Sequence, residues 1–164
     1  MIDPINLQLR DAHDHELDRV YLMGEDVWSD GASTHEYLEG CRSSLKYKQG
    51  QFKVLTNGEQ LLSSLIVYDL STDRLGIGSI ATPVPLRQQG YASKLVELTV
   101  QEAKSRGKVD IFLFSDIGAR FYEKLGFTAL PPSYQQYADS ICMLKTERTW
   151  NEWVALKQDL PKYF

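Results

Sequence analysis

The run from Arg87 to Ala92 has the residue types of an anion-binding site. It reads Arg-Gln-Gln-Gly-Tyr-Ala and opens a segment with helical spacing that ends at Gly107. Amides in the first turn of a helix have no acceptor within the helix, and the helix dipole adds positive charge, so phosphate is attracted there. Gly90 and the small Ala92 let a phosphate approach the main chain, and Arg87 can add a charge-assisted bond. A purely structural role for the glycine fits equally well.

A second run, from Phe114 to Phe127, carries a carboxylate and several aromatic rings. It reads Phe-Ser-Asp-Ile-Gly-Ala-Arg-Phe-Tyr-Glu-Lys-Leu-Gly-Phe. The pattern predicts that a buried strand ends here and that a short helix begins near Gly118. Taken alone, Phe121 and Tyr122 at helical spacing indicate core packing more often than catalysis.

A third pattern, Gly76 to Ala81, matches the dinucleotide-binding form G-x-G-x-x-G/A. That motif works only where the glycines form a turn that opens a helix. Here they lie inside a predicted strand, and Pro83 and Pro85 follow. The pattern is therefore rejected as a nucleotide site, and Gly76 and Gly78 indicate a bulge or the close approach of a neighbouring group.

The elements that position these runs follow from hydrophobic spacing. Asn57-Gly58 between two apolar segments is a strong hairpin signal. Period-two or continuous apolar runs predict strands at 5–10, 52–55, 61–70, 75–82, 111–114, 127–130 and 140–144. Helical spacing predicts helices at 16–28, 34–45, 92–103 and 118–125, with a weakly amphipathic tail at 150–156.

This order of elements predicts an α/β (α+β) fold. It is a single mixed β-sheet of about seven strands with helices on both faces. We expect one domain over residues 1–146, followed by an aromatic C-terminal tail over 147–164. The tail is expected to form a helix that packs on the domain or at a homodimer interface.

Composition excludes several classes of protein. The chain has 164 residues, a net charge of −4 and a pI near 5.4, which argues against a nucleic-acid partner. No apolar run approaches the ~20 residues of a membrane span, and the start, Met1 to Pro4, lacks a secretory signal. Cys41 and Cys142 stand alone, without metal-ligand spacing. We therefore expect a cytoplasmic protein with no metal and no membrane partner.

Together the first two runs resemble the GNAT superfamily of N-acetyltransferases. Arg87 to Ala92 resembles the family's Q/R-x-x-G-x-G/A pyrophosphate loop, and Ala119 with Phe121 to Phe127 resembles its F-Y-x-K-x-G-F signature. One helix and one strand separate the two motifs, as in the family. The resemblance covers about residues 6–144 and is sharp from 75 to 127.

The resemblance implies acetyl-CoA as co-substrate. In this family acetyl-CoA lies where two parallel strands splay apart, here the strands at 75–82 and 110–114. Main chain from Ile80 to Thr82 would pair with the pantetheine arm. Residues 87–92 would hold the pyrophosphate, with Arg87 in support. The implied cofactor-binding residues are Ile80, Ala81, Thr82, Arg87, Gln88, Gln89, Gly90, Tyr91, Ala92, Ala119 and Tyr122.

The resemblance also implies roles in proton transfer. Tyr122 resembles the family's general acid, since a phenol with a pKa of about 10 can protonate a departing thiolate. Asp116 stands where many relatives have Asn, so it is the leading candidate for a base, although capping of the next helix explains it equally well. The strand at 75–82 lacks the carboxylate that many relatives use, so water, Ser79, Asp69 or Asp116 could take the proton.

In this family the acceptor is chosen largely by the segment between the first two helices. Glu25 and Trp28 lie there, and a carboxylate beside an aromatic ring would suit a cationic amine. A solvated acidic surface would explain the same residues. The leading function is transfer of acetyl from acetyl-CoA to a primary amine, either a small molecule or a peptide or lysine amine. The alternatives are a non-catalytic acyl-CoA-binding or sensory module, and an interaction protein that docks through its aromatic tail.

Overall fold

A computed structural model describes residues 6–155 and 160–164. Its strands are β1 Gln8–Asp11, β2 Gln51–Thr56, β3 Leu61–Ser71, β4 Arg74–Ala81, β5 Asp110–Ser115, β6 Thr128–Ala129 and β7 Ile141–Thr146. Its helices are α1 Leu17–Leu22, α2 Glu25–Trp28, α3 Thr34–Ser43, α4 Leu45–Lys48, α5 Tyr91–Ser105, α6 Arg120–Glu123 and α7 Trp150–Ala155. Short 3₁₀ turns lie at Asp14–Glu16, Val84–Leu86 and Pro132–Tyr134.

The strands form one mixed sheet in the order β1-β2-β3-β4-β5-β7-β6. β4 pairs with β5 in parallel, whereas the pairs β1–β2, β2–β3, β5–β7 and β6–β7 are antiparallel. The predicted seven-stranded mixed sheet is therefore confirmed.

Internal contacts group the chain into two compact units. The first is Met1–Val67 with Ser79–Thr99, and the second is Tyr68–Gly78 with Val100–Phe164. The predicted division at residue 146 is a different one and stays a prediction.

In the first unit the predicted Asn57-Gly58 hairpin joins β2 to β3. The Asn57 amide donates to the Gln60 carbonyl at 3.4 Å, and Gly58 has a φ of +109°. Only glycine adopts such a φ without strain, so the turn depends on this residue. The hairpin aligns Val54 opposite Ser64, both fully buried or nearly so.

The helix predicted over 16–28 is divided in the structure. The chain forms α1, breaks at Met23 and Gly24, and continues as α2. The Trp28 ring covers Gly24 so closely that a Cβ there would lie 2.1 Å from Cε3 of the ring. The apolar spacing runs through this glycine, which is why the sequence pattern missed the break.

Glu16 joins the 3₁₀ turn at Asp14–Glu16 to β1. Its side chain is 5% exposed, and its two carboxylate oxygens accept from the Arg10 guanidinium at 2.7 and 2.9 Å. His13, His15 and Glu16 each place one potential metal ligand within 4.8 Å of the others. The two hydrogen bonds from Arg10 already explain the position of the Glu16 carboxylate.

The Arg10–Glu16 pair should make stability depend on pH. Hydrogen bonding from Arg10 lowers the pKa of Glu16 from 4.5 to about 2. Because the folded pKa lies below the unfolded one, this stabilisation is complete above pH 4.5 and disappears as the pH falls towards 2. We expect Glu16→Gln to cost about 2 kcal/mol of unfolding free energy at neutral pH. Urea unfolding of both proteins across this range should show the difference shrinking in acid; a constant difference would contradict the assignment.

The second unit has its own apolar cluster. Phe112 on β5 packs with Leu130, Cys142, Leu144 and Trp153 of α7. The tail thus begins with the predicted helix, although Leu156, its predicted end, lies outside the described residues. Leu160 and Phe164 add to the same cluster. No helix within the described ranges is both long and apolar enough to cross a membrane.

Candidate active site

The parallel ladder between β4 and β5 covers only part of each strand. It runs from Arg74 opposite Asp110 to Ile77 opposite Leu113, whereas β4 extends to Ala81 and β5 to Ser115. Both strands therefore have residues beyond their last parallel pair. Main-chain groups that leave a ladder are free to bind another extended chain.

Ser79, just beyond the ladder, has an unusual backbone. Its φ is +49°, a left-handed conformation that costs a non-glycine residue about 1 kcal/mol or more. A bulge at Gly76 or Gly78 stays a prediction. The side chains of Tyr47 and Ser79 are hydrogen-bonded to each other, and burial raises the pKa of Tyr47. Backbone strain of this kind concentrates at functional sites.

The end of β4 is held by a buried hydroxyl. Ser63 of β3 donates to the Ala81 carbonyl at 2.8 Å and lies 2.9 Å from the Thr82 hydroxyl. The Thr82 carbonyl accepts from Nε of Arg87 at 2.8 Å. Ala81 is buried, whereas Ile80 and Thr82 are half-buried and present accessible edges. These contacts fix the main chain that was predicted to face the pantetheine arm.

The 87–92 run forms a tight loop that leads into α5. Gln88 and Gly90 have φ values of +64° and +84°. The Gly90 carbonyl accepts from the Lys94 amide at 3.0 Å, so Gly90 is the residue at which the helix begins. Gln88 and Gln89 are exposed, Tyr91 is buried, and Ala92 is half-buried. The first amides after Gly90 have no acceptor within the helix, as at any helix start, so their binding of an anion stays a prediction.

Arg87 makes a contact that the sequence did not predict. Its two terminal nitrogens each donate to one oxygen of Asp26 at 2.7 Å. The guanidinium thus links α2 to the end of β4 through Thr82, and Asp26 keeps the pKa of Arg87 above its usual value. A direct bond from this side chain to pyrophosphate stays a prediction.

The predicted acceptor residues Glu25 and Trp28 lie on α2. Trp28 is 41% exposed and packs on Gly24. Glu25 is half-buried and accepts from the Thr34 hydroxyl, so its carboxylate already has a structural partner. Arg87 holds the same short helix through Asp26, which the sequence did not single out.

In the second unit Tyr122 is the buried phenol of α6. It is 7% exposed and contacts the rings of Phe121 and Phe127. Burial, with a smaller contribution from the Asp116 charge, raises the pKa of Tyr122 to about 12. Ala119 immediately precedes α6, and its carbonyl accepts from the Tyr122 amide at 3.1 Å. The phenol is thus held protonated, as a proton donor must be.

Asp116 is exposed between β5 and α6 and lies close enough to Tyr122 to influence its pKa. It does not cap α6, because the cap residue is Ala119 and no side chain fills the cap role. The loop is held instead by Ser115, which contacts both the Gly118 carbonyl and the Ile117 amide. One Asp116 oxygen accepts from the Tyr163 hydroxyl at 3.2 Å. A role for Asp116 as a base stays a prediction.

Several residues that shape these sites escaped the sequence patterns. Ser63, Asp26 and Tyr47 act through single contacts with residues distant in sequence, and no local pattern records such contacts. Tyr163 and Phe164 lie in the tail, where the aromatic residues predicted packing on the domain, a homodimer interface or docking of a partner, but no contact with β4. The two glycines of β4 were the available signal, because they predicted close approach by a neighbour, and that neighbour is Phe164.

Comparison with solved structures supports the same fold at low sequence identity. Ard1 from Thermoplasma volcanium matches with a TM-score of 0.62 and 17% identity, covering 86% of this chain and 97% of that one. A putative N-acetyltransferase from Lactobacillus plantarum matches with a TM-score of 0.67 and 19% identity, covering 85% and 97%.

A larger protein also contains a similar domain. N-acetylglutamate synthase from Neisseria gonorrhoeae, in complex with coenzyme A and N-acetyl-glutamate, matches with a TM-score of 0.64 and 16% identity. The match covers 87% of this chain but only 35% of that one, so this chain spans about a third of the synthase. No curated protein sequence matches the chain.

A family model settles the classification that the two motifs predicted. The model for the acetyltransferase (GNAT) family matches residues 12–127. The match includes the loop before α5 and ends at Phe127, the last residue of the second motif. The chain therefore belongs to the acetyltransferase (GNAT) family.

Proposed function

We propose that this protein transfers the acetyl group of acetyl-CoA to a primary amine by direct attack. The observation that carries the proposal is Tyr122, a buried phenol whose pKa of about 12 keeps it protonated at neutral pH. A transferase needs a proton donor for its leaving thiolate, and a protonated phenol can supply that proton. The GNAT family membership supports the same reaction class.

The proposed cofactor contacts follow the described main chain. Ile80 to Thr82 would pair with pantetheine, since Ser63 holds this strand end in place. The amides from Gln88 to Ala92 would hold the pyrophosphate at the start of the fifteen-residue helix α5. Arg87 would contribute by fixing the loop through Thr82 and Asp26.

In the proposed reaction a neutral amine attacks the thioester carbonyl carbon. The C–N bond forms and the C–S bond breaks, so the electron pair of that bond passes to sulfur. Tyr122 donates its proton to the thiolate, and solvent returns a proton to the phenolate. The nitrogen loses its extra proton to water or to Asp116, the exposed carboxylate whose charge contributes to the raised pKa of Tyr122. Asp69 is a weaker choice, because it is ion-paired with Lys108 at 2.6 Å.

The acceptor is proposed to be a cationic primary amine, either a small molecule or a peptide or lysine amine. Support comes from the exposed Trp28 ring and from the Glu25 carboxylate, which accepts from Thr34 through one oxygen. Asp26 is already ion-paired with Arg87. Titration of the protein with CoA in a calorimeter, followed by thiol release from acetyl-CoA with a panel of amines, tests the proposal. Binding with turnover on any amine supports it, and absence of CoA binding contradicts it.

Gly90 provides a sharper test of the cofactor site. Its φ of +84° is strained for any side chain, whereas a Cβ there would meet no atom within 4 Å, so the effect of a substitution comes from the backbone. We expect Gly90→Val to weaken CoA binding at least about tenfold. The matched control is Gly107→Val. Gly107 has a similar φ of +85° and follows the other end of α5, so the substitution causes the same backbone strain away from the loop. Equal loss of CoA affinity in both variants would mean that general strain, not the loop, is responsible.

A non-catalytic acyl-CoA sensor is the second candidate. The observation that favours it is the composition of β4, in which Arg74 to Ala81 contains no carboxylate. Tight CoA binding without transfer to any amine of a broad panel would support the sensor and overturn the enzyme.

A further inference from the structure

The last residues of the described chain lie on the sheet of the second unit. The Phe164 ring covers Gly76 of β4 so closely that a Cβ there would be 2.5 Å from Cζ of the ring. At Gly78 a Cβ would lie 3.4 Å from the Phe164 carbonyl oxygen and 3.5 Å from Cδ2. A side chain at position 76 would therefore displace the ring.

The same ring contacts the strands on both sides of β4. Its centroid is 5.0 Å from the ring of Tyr68 on β3 and 5.1 Å from that of Phe114 on β5. Phe164 thus lies in a slot with a floor of glycine and walls of aromatic rings. Contacts between aromatic rings stabilise this packed position of the Phe164 ring relative to a position in solvent.

This slot lies at the end of the parallel ladder. The last pair is Ile77 opposite Leu113, and the next residues along the two strands are Gly78 and Phe114. Phe164 touches both of these next residues. The tail ring therefore lies across β4 and β5 at the point where their pairing stops.

Tyr163 fastens the tail beside the slot. Its hydroxyl donates to Asp116 at 3.2 Å, and its amide donates to the Tyr137 hydroxyl at 3.0 Å. The rings of Phe114, Tyr137 and Tyr163 are mutually 5.3 to 5.8 Å apart. At these distances the three rings pack against one another.

We propose that Phe164 determines which acyl group the enzyme accepts, because its ring occupies the slot beside Gly78 and Phe114 and leaves room there for only a short acyl chain. This inference rests on the proposed function and adds that the acyl group of the thioester lies at this slot. A longer acyl chain would have to displace a ring that is packed on glycine and on two aromatic side chains. Forcing extra methylenes into a filled apolar space is unfavourable, so acetyl is preferred.

The experiment compares acetyl-, propionyl-, butyryl- and hexanoyl-CoA with the wild type and Phe164→Ala. Calorimetry gives the dissociation constant of each thioester and needs no acceptor, and thiol release with the best amine gives kcat/KM. We expect the preference for acetyl over butyryl to fall at least about tenfold in Phe164→Ala. Plain CoA, which carries no acyl group, should bind both proteins equally.

Gly76→Ala is a second variant that leaves the tail intact. Its Cβ would push the ring away from the slot, so the preference should change in the same direction. Tyr163→Phe is the matched control, because it keeps the ring and removes the hydroxyl that donates to Asp116. Its acyl preference should equal that of the wild type. Thermal unfolding of each variant confirms that the fold is retained.

The outcomes separate this inference from the proposed function. A wild type that binds no acyl-CoA overturns both. Suppose instead that the wild type binds acetyl-CoA and transfers acetyl. If the acetyl-to-butyryl preference then stays within about twofold of the wild type in both Phe164→Ala and Gly76→Ala, only the role of Phe164 is overturned. An equal gain in affinity for CoA and for all the thioesters in Phe164→Ala also overturns this role, because the ring would then obstruct binding whatever the acyl group.

Discussion

Tyr122→Phe is expected to lower kcat for acetyl transfer by about 10² to 10⁴-fold. The change removes one hydroxyl and leaves the ring against Phe121 and Phe127. Without a proton donor the thiolate must leave as an anion from a site that is largely buried. The dissociation constant for CoA should change far less than kcat, since most of the proposed cofactor contacts are made by main chain elsewhere.

The same assignment predicts the alkaline side of the pH profile. Burial raises the pKa of Tyr122 to about 12. Because the protonated form is the donor, no fall in kcat from loss of this acid is expected below that pH. Any change at lower pH should come from deprotonation of the amine or of the base, and it should persist in Tyr122→Phe.

Rapid thiol-release kinetics and calorimetry on the two proteins check these expectations. Tyr134→Phe is a suitable control, because Tyr134 is a half-buried tyrosine that packs against Trp150 and Trp153 instead. It should retain the wild-type rate. Undiminished kcat in Tyr122→Phe across the whole pH range would remove Tyr122 from the mechanism.

The largest expected effect on stability comes from Arg148. Asp110, at the start of β5, is fully buried, and its carboxylate has the Nε of Arg148 at 3.4 Å and the Thr146 hydroxyl at 2.7 Å. Arg148 also donates to Asp73 at 3.0 Å. Arg148→Met would leave a buried carboxylate without its cation, which should cost about 3 kcal/mol of unfolding free energy.

Urea unfolding of Arg148→Met measures this cost. Lys104→Met is the matched control, since the Lys104–Glu147 pair has a similar distance of 3.0 Å but is exposed and should contribute less than about 1 kcal/mol. Adding Asp110→Asn to Arg148→Met should recover part of the loss, because the buried charge is then removed. Equal effects of the two single cation replacements would show that burial of Asp110 does not govern the interaction.

Local sequence patterns predicted much of the fold. Each strand follows from an apolar run, and the hairpin from Asn57-Gly58, because these signals depend only on neighbouring residues. The helix over 16–28 was wrong in one respect, since Gly24 interrupts it. That break depends on Trp28 packing over the glycine, and spacing alone does not contain this information.

The sequence by itself determined the GNAT family and the candidate residues for binding and proton transfer. It could do so because the loop before α5 and the segment around Tyr122 are short and local, and their chemistry is set by residue type and order. It could also raise Asp116 but not choose between base and cap, since both roles use the same carboxylate.

Only the tertiary structure decided which partners these residues have. In the folded chain Arg87 is ion-paired with Asp26, and Asp116 does not cap α6. Tyr122 is buried, which raises its pKa, and the Phe164 ring packs on the glycines of β4. Each of these outcomes depends on burial or on contact between residues far apart in the chain. Such contacts arise from the packing of the whole fold, so no short stretch of sequence specifies them.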